Sequence, residues 1–286
     1  MEWEKAKSYI LLFFIVLNLI LGGLLLNERR RYTVTPEREQ AITTILRQNN
    51  IVLDTRIIRR FPPMSALYIA GYDYDVNKLT NIFFGEDASF MQEESRFGYV
   101  FTYGSARLAI EQGFISFDNP NGVNAPPANF ELTQSDAQRL ADTFVRAHWP
   151  RFRLDDITDV PGGLRLSYRQ VHQGHIIHTN FIEIIVNEMG IVQMDMQYGQ
   201  VLEWLDQRPI AAPDEVLLTF VQQMRPSFAL RPNDPLIIFY MDLVYFQEEV
   251  GSTDPSARYL AVPFYRIFTS WAEDPFLVNA FTNGMV

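Results

Sequence analysis

Nineteen consecutive positions, residues 8–26 (SYILLFFIVLNLILGGLLL), carry no charge, and only Ser8, Tyr9 and Asn18 bring side-chain polarity. A helix of that length covers roughly 28 Å, the thickness of a bilayer hydrocarbon core. Inside lipid an isolated segment must satisfy its own backbone, and only a helix does so. A buried core helix would be striped with polar positions, whereas this run is apolar all round. The pattern predicts a transmembrane anchor over 8–26, preceded by a short segment 1–7. The run outlasts the apolar region of a cleaved signal, about 7–15 residues, and no A-x-A site follows it, so the anchor is expected to stay uncleaved.

Beyond the anchor the periodicity changes repeatedly. Thr35-Pro36-Glu37 reads as a helix start, with a capping hydroxyl, proline at the first helical position and an acid on the positive dipole end. Ile42, Ile45 and Leu46 supply the buried stripe, and Asn49-Asn50 closes it. Strand-like runs follow at 52–58 and 66–72. Asp75 is placed to cap a short helix ending before Gly85, and residues 90–117 alternate aromatic and polar positions between glycines, predicting several short antiparallel strands.

Residues 118–129 (DNPNGVNAPPAN) gather Asn, Pro and Gly and form the clearest boundary. It divides the soluble part into modules 27–128 and 129–286. The second opens on Thr133-Gln134-Ser135-Asp136, close to a capping box, then Ala137, Leu140, Ala141, Phe144 and Val145 at helical spacing up to Pro150. Leu164, Leu166 and Tyr168 alternate with Arg165, Ser167 and Arg169. Residues 181–186 are almost continuously apolar, as in a central strand, and 187–190 make a turn. Met194, Met196 and Tyr198 alternate again. A helix over 214–224 and long strands over 236–247 and 258–269, around a turn at 251–255, complete the chain. Without regular βαβ alternation this order predicts α+β: antiparallel sheets with packed helices.

The net charge of −10 lies wholly beyond residue 27, because Glu2 and Glu4 cancel Lys5 and Lys7. An acidic soluble part does not suit nucleic acid. Zero cysteines exclude a disulfide framework, thiolate chemistry and a lipoprotein anchor. Lysine occurs only at Lys5, Lys7 and Lys78; the arginine bias fits either alkaline surroundings or genomic base composition. Arg29, Arg30 and Arg31 follow the span, so charge counting favours a cytoplasmic soluble part, while the layout of a short leader, one span and a large domain is also that of an exported, tethered protein.

Candidate chemistry is sparse. His172, His175 and His178 could converge on a metal. On one extended strand, however, His175 would face away from the other two, and Gly174 points to an exposed hairpin. Asp73-Tyr74-Asp75-Val76-Asn77 begins like a calcium loop, but Lys78 takes the glycine position and Phe84 that of the bidentate glutamate. No nucleophile elbow, Walker loop, zinc-protease helix or dinucleotide turn occurs. Carboxylate pairs such as Asp155-Asp156 and Glu248-Glu249 suit solvated loops. No enzyme, cofactor or metal is expected. Within the anchor, Asn18 and Gly22 share one helix face with Gly23 beside it, and are the candidate helix-packing residues.

The opening M-E-W-x-K-A-K, residues 1–7, running straight into a long apolar helix, resembles the YycI (WalI) family of Gram-positive bacteria, and the layout of one anchor and about 250 soluble residues matches throughout. The resemblance implies a soluble part outside the cell membrane with the N-terminus cytoplasmic, against the arginine count. It implies two extracellular α+β modules similar to those of YycH, association with a YycH-like protein and with the sensor histidine kinase YycG (WalK), and adjustment of that kinase's control of cell-wall metabolism, largely through contacts among membrane helices. Homo- or heterodimerisation is compatible with it. It brings no catalytic or cofactor residues. Two other readings stand beside it: a tethered extracellular ligand-binding or protease-inhibitory module, and a cell-wall hydrolase.

Overall fold

A computed structural model describes the chain except residues 1, 72–73, 87, 97, 112, 124–125, 127–129, 131, 232–233 and 248–257, and the side chains of 2, 4–6, 24–30 and 228–230. In chain order the elements are α1 (Glu2–Arg31), α2 (Pro36–Gln48), β1 (Ile51–Leu53), β2 (Met64–Gly71), α3 (Val76–Phe84), β3 (Met91–Ser95), β4 (Gly98–Tyr103), β5 (Ala106–Glu111) and β6 (Phe114–Val123). Then follow α4 (Gln134–His148), β7 (Phe152–Val160), β8 (Gly163–His172), β9 (His175–Asn187), β10 (Gly190–Gln197), β11 (Gly199–Arg208), α5 (Pro213–Leu230), β12 (Leu236–Gln247), β13 (Arg258–Thr269) and β14 (Phe276–Asn279). The fold is sheet-dominated α+β.

The helix starts follow the capping chemistry. The hydroxyl of Thr35 accepts from the Arg38 N–H at 3.4 Å and that of Thr133 from the Asp136 N–H at 3.2 Å, while the Asp75 carboxylate accepts from the Lys78 N–H at 3.1 Å. Gly85, at φ 93°, terminates α3, as its freedom in that region allows. Strands β12 and β13 have the expected bounds. The strand expected over 52–58 shrinks to β1, and the turn at 251–255 lies outside the described residues.

The chain forms two compact units: Met1–Met64 with Gln207–Asp242 and Tyr265–Val286, and Ser65–Asp206 with Leu243–Phe264. They do not follow a division at 128/129. The physical reason is the hydrogen-bond ladder, since β6 pairs with β10 across that point with Phe117 opposite Met194. The Asn-rich run is strand as far as Val123, and its side chains serve the local backbone: Asn119 donates to the Gly122 carbonyl at 3.0 Å and accepts from the Asn121 N–H at 3.1 Å. Residues 124–125 and 127–129 lie outside the described residues.

The second unit holds an antiparallel meander, β3-β4-β5-β6-β10-β9-β8-β7 in hydrogen-bonded order. From β4 across to β8 one face of the sheet is lined by buried apolar side chains. Directly opposed positions make a row Ile157, Leu166, Ile184, Met194, Phe117, Leu108 and Phe101 across seven strands. All but Ile157 are fully or almost fully buried. A second row runs through Tyr168, Ile182, Met196, Ile115 and Ile110. Helices α3 and α4 belong to the same core through Leu79, Phe83, Ala137, Ala141, Phe144 and Val145, with Phe83 stacked on Phe117 at 4.3 Å between centroids. Tyr168 donates its hydroxyl to Asp142 on α4 at 2.9 Å, and burial together with that carboxylate holds the phenol protonated far above its ordinary range.

In the first unit α2 packs on α5. Arg38 grips Asp214 with two hydrogen bonds, 2.7 and 2.9 Å, and reaches Glu215 at 3.2 Å. Deeper lies an ion pair that the periodicity did not announce. Arg266 on β13 is 1% exposed and donates to both oxygens of Asp242 on β12, at 2.8 and 2.6 Å. Helix α1 is continuous, and its described apolar side chains are exposed. Among the described residues, which in α1 include 7–23 but not the side chains of 24–26, no helix is long and apolar enough to cross a membrane.

Three variants test these contacts by urea unfolding. Phe117→Ala should cost about 3–5 kcal/mol through lost packing against Phe83 and the neighbouring strands. Asp242→Ala should cost about 3–5 kcal/mol because it strands a buried guanidinium, and Asp242→Leu combined with Arg266→Met should recover most of that loss.

Candidate functional site

Three places carry candidate chemistry. The first is the α1 stripe. The Asn18 Nδ2 donates to the Phe14 carbonyl at 2.8 Å, one turn back in the same helix, so the amide's donor is satisfied locally. A Cβ at Gly22 or Gly23 would meet nothing within 4 Å, so both positions present open backbone on which another helix can close.

The second is the histidine cluster. Gln173 and Gly174, both at positive φ, turn the chain between β8 and β9, and His172 opposes His175 directly. Opposed positions share a face, so both rings contact Trp204, at 5.8 and 6.5 Å, and His175 also meets Tyr245 edge-on at 5.7 Å. His178 packs instead on Phe246 at 5.6 Å. The register shift between Arg169 and Gln170 separates it from the other two. Only the hairpin tip is exposed; the three rings are half-buried, which corrects the expectation of an exposed hairpin. Among the described residues no three metal-ligating side chains converge. Burial lowers the affinity of His175 for a proton, burial and then the Arg151 charge do so for His172, and burial pushes the Tyr245 phenol up to about 12.

The third place was invisible to spacing arguments. A cleft of about 190 Å³ opens where α4 ends, lined by Lys78, His148, Trp149, Pro150, Arg151, Phe152 and Tyr198. Lys78 comes from the first turn of α3, and His148 from the last turn of α4. Tyr198 follows β10 and is anchored through its N–H, which donates to the Tyr74 hydroxyl at 3.1 Å. Trp149 stands edge-on to both Phe144 and His148, at 5.8 and 5.6 Å, and Phe152 edge-on to Tyr198 at 5.9 Å. The cleft thus has two aromatic walls and a cationic rim. Burial first, then the Lys78 charge, keeps His148 below the usual imidazole range. A signal did exist in the sequence: Lys78 is the only lysine beyond residue 7, and H-W-P-R-F, residues 148–152, concentrates aromatic and cationic groups.

No protein-family model matches the chain, and no curated protein does. Among solved structures, the fold is similar to that of an uncharacterized protein from Eubacterium rectale ATCC 33656, at TM-score 0.53 and 10% identity, covering 82% of this chain and 88% of that one. The C-terminal domain of YpeB from Bacillus megaterium matches at TM-score 0.44 and 9% identity over 76% of this chain and 96% of that chain. YycH from Bacillus subtilis matches at TM-score 0.44 and 11% identity over 76% of this chain and 53% of its own length. At such identities the first likeness is one of fold.

The histidines predict a pH dependence. His148, His172 and His175 all resist protonation when folded, so the unfolded chain takes up protons first as the pH falls below about 6.5. Stability from these groups is therefore complete near neutrality and lost as the pH drops through that value. Replacing all three with glutamine should flatten the fall in thermal midpoint between about pH 7.5 and pH 5.5, relative to the unaltered chain in the same buffers.

Proposed function

We propose that this chain is a non-enzymatic, membrane-anchored accessory protein of the YycI type, adjusting a cell-wall-controlling sensor histidine kinase together with a YycH-like partner. Helix α1 carries the reading. From Tyr9 to Leu21 its large apolar side chains stand exposed, between 37% at Leu17 and 71% at Tyr9 and Leu19. A contiguous apolar surface of that kind calls for lipid or a partner helix rather than water. The opening heptad adds support, and a sheet-dominated α+β soluble part is the architecture such a protein requires.

In this reading α1 spans the membrane with residues 1–7 in the cytoplasm and the soluble part outside. A protein without chemistry of its own acts by binding two kinase states with different affinity. One helix packed through Asn18, Gly22 and Gly23 against the kinase's helices could supply a coupling of ~1–3 kcal/mol, a shift of roughly 5–150-fold in the equilibrium. The soluble part holds that helix in place through the kinase or the YycH-like protein. A second reading, a tethered extracellular module that binds a ligand or inhibits a protease, is favoured by the cationic aromatic cleft beside Trp149; a rise in thermal midpoint on adding wall fragments or peptides would support it.

Membrane co-purification of the tagged full-length chain separates these outcomes. We expect a histidine kinase and a YycH-like protein to be recovered, weakly with Asn18→Leu and not at all when residues 8–26 become polyleucine. Equal recovery by all three versions would move the contact to the soluble part. Recovery of no kinase by any of them would overturn the reading.

A further inference from the structure

The cleft at the end of α4 is built unlike the rest of the surface. The soluble part carries the whole net charge of −10, yet the residues lining this cleft include Lys78, Arg151 and His148 and no carboxylate. Neither Lys78 nor Arg151 is held in an ion pair by any carboxylate among the described residues. An exposed arginine or lysine is often drawn to a neighbouring acid, and in so acidic a chain the supply is large. Two cations left unpaired at one concavity focus a local positive field against the background.

The walls add a second, independent requirement. Trp149 is held edge-on by Phe144 and His148, and Tyr198 by Phe152 and by its backbone bond to Tyr74. Phe152, at the foot of the cleft, is 3% exposed and starts β7, with its N–H donating to the Trp149 carbonyl at 3.1 Å. These rings are held by the fold rather than left to collapse onto one another. Rigid aromatic surface beside unpaired cations suits a ligand with a flat apolar body and one negative group, because stacking and charge-assisted hydrogen bonding are then satisfied together. A volume of about 190 Å³ suits a small molecule rather than a peptide segment.

We infer that this cleft is a binding site for a small organic anion, a carboxylate on a flat apolar body, with Lys78 and Arg151 holding the carboxylate and Trp149 and Tyr198 flanking the body. The inference stands independently of the kinase reading: a chain that recruits no kinase still has this site, and a chain without it can still recruit one.

The probe is sodium benzoate, titrated into the full-length chain in amphipol while the indole N–H resonance of Trp149, assigned with Trp149→Phe, is followed by NMR. Benzamide supplies the same body without charge, and inorganic phosphate supplies charge without a body. Benzoate should give a saturating shift in the millimolar range. Lys78→Gln and Arg151→Gln should each weaken it roughly tenfold, the loss of one charge-assisted contact. Both side chains are exposed, so neither replacement threatens folding. Benzamide and phosphate should each bind at least tenfold more weakly. Equal binding of benzamide, equal binding of phosphate, unchanged affinity in the two variants, or no saturable shift with benzoate would each overturn the assignment.

Discussion

Burial of one face of an eight-strand antiparallel meander beneath α3 and α4 is the constraint on which the second unit depends. Strand β9 pairs with β8 on one side and β10 on the other, so its backbone is satisfied by neighbours. Its alternate side chains Ile182, Ile184 and Val186 then have one place to go, and all three are fully buried. Because side chains in a strand alternate strictly, slipping any strand by one residue would turn its buried set to the other face. The row from Leu166 through Ile184, Met194, Phe117 and Leu108 to Phe101 therefore fixes the register of six strands at once. Everything at the cleft follows from that register. It sets where β10 releases Tyr198, while Pro150 follows the end of α4.

Polar interactions sit within these cores at a few chosen points. Asn180 donates to Gln170 at 2.6 Å and to the Gly199 carbonyl at 2.8 Å, and accepts from the Gly199 N–H at 3.0 Å, so a buried amide completes the backbone of the first residue of β11. A Cβ at Gly199 would collide with Ile69, which explains why a glycine stands there. In the first unit Arg266 and Asp242 satisfy one another bidentately inside the sheet. Such a pair adds little net stability over an apolar pair of like volume, but it permits only one partner position. It reads best as a device for pairing β12 with β13 correctly, whereas the half-exposed Arg38 on Asp214 joins two helices at modest gain.

A helix of exposed apolar residues and a small cationic cleft elsewhere in the chain are separable assets. The helix carries open backbone at Gly22 and Gly23 and an amide, Asn18, that donates to its own turn. The cleft offers aromatic surface beside two cationic side chains, Lys78 and Arg151.

Much of the architecture was legible in the order of residues because it rests on local physics. Thr35, Asp75 and Thr133 cap their helices through bonds spanning three residues, and Gly85 ends α3 through its own backbone freedom. The alternation of Leu164, Leu166 and Tyr168, and the apolar run ending in Val186, name their buried face without reference to anything distant. Other features escaped. β7 and β11 carry charges on both faces of their patterns and become strands only because β8 and β2 stand beside them. The Asn-rich run at 118–123 has the composition of a linker, and ladder pairing with β10 makes it strand. His172 and His175 looked opposed along one strand; a turn between them places both on Trp204. The cleft gathers Lys78, Trp149 and Tyr198 from segments far apart in the chain, and Arg266 lies buried because of a carboxylate 24 residues away. Sequence determined what each short segment prefers, since caps, turns and periodicity act within a few residues. Tertiary structure alone decided which segments meet, because the register and packing that bring distant side chains together are properties of the whole chain.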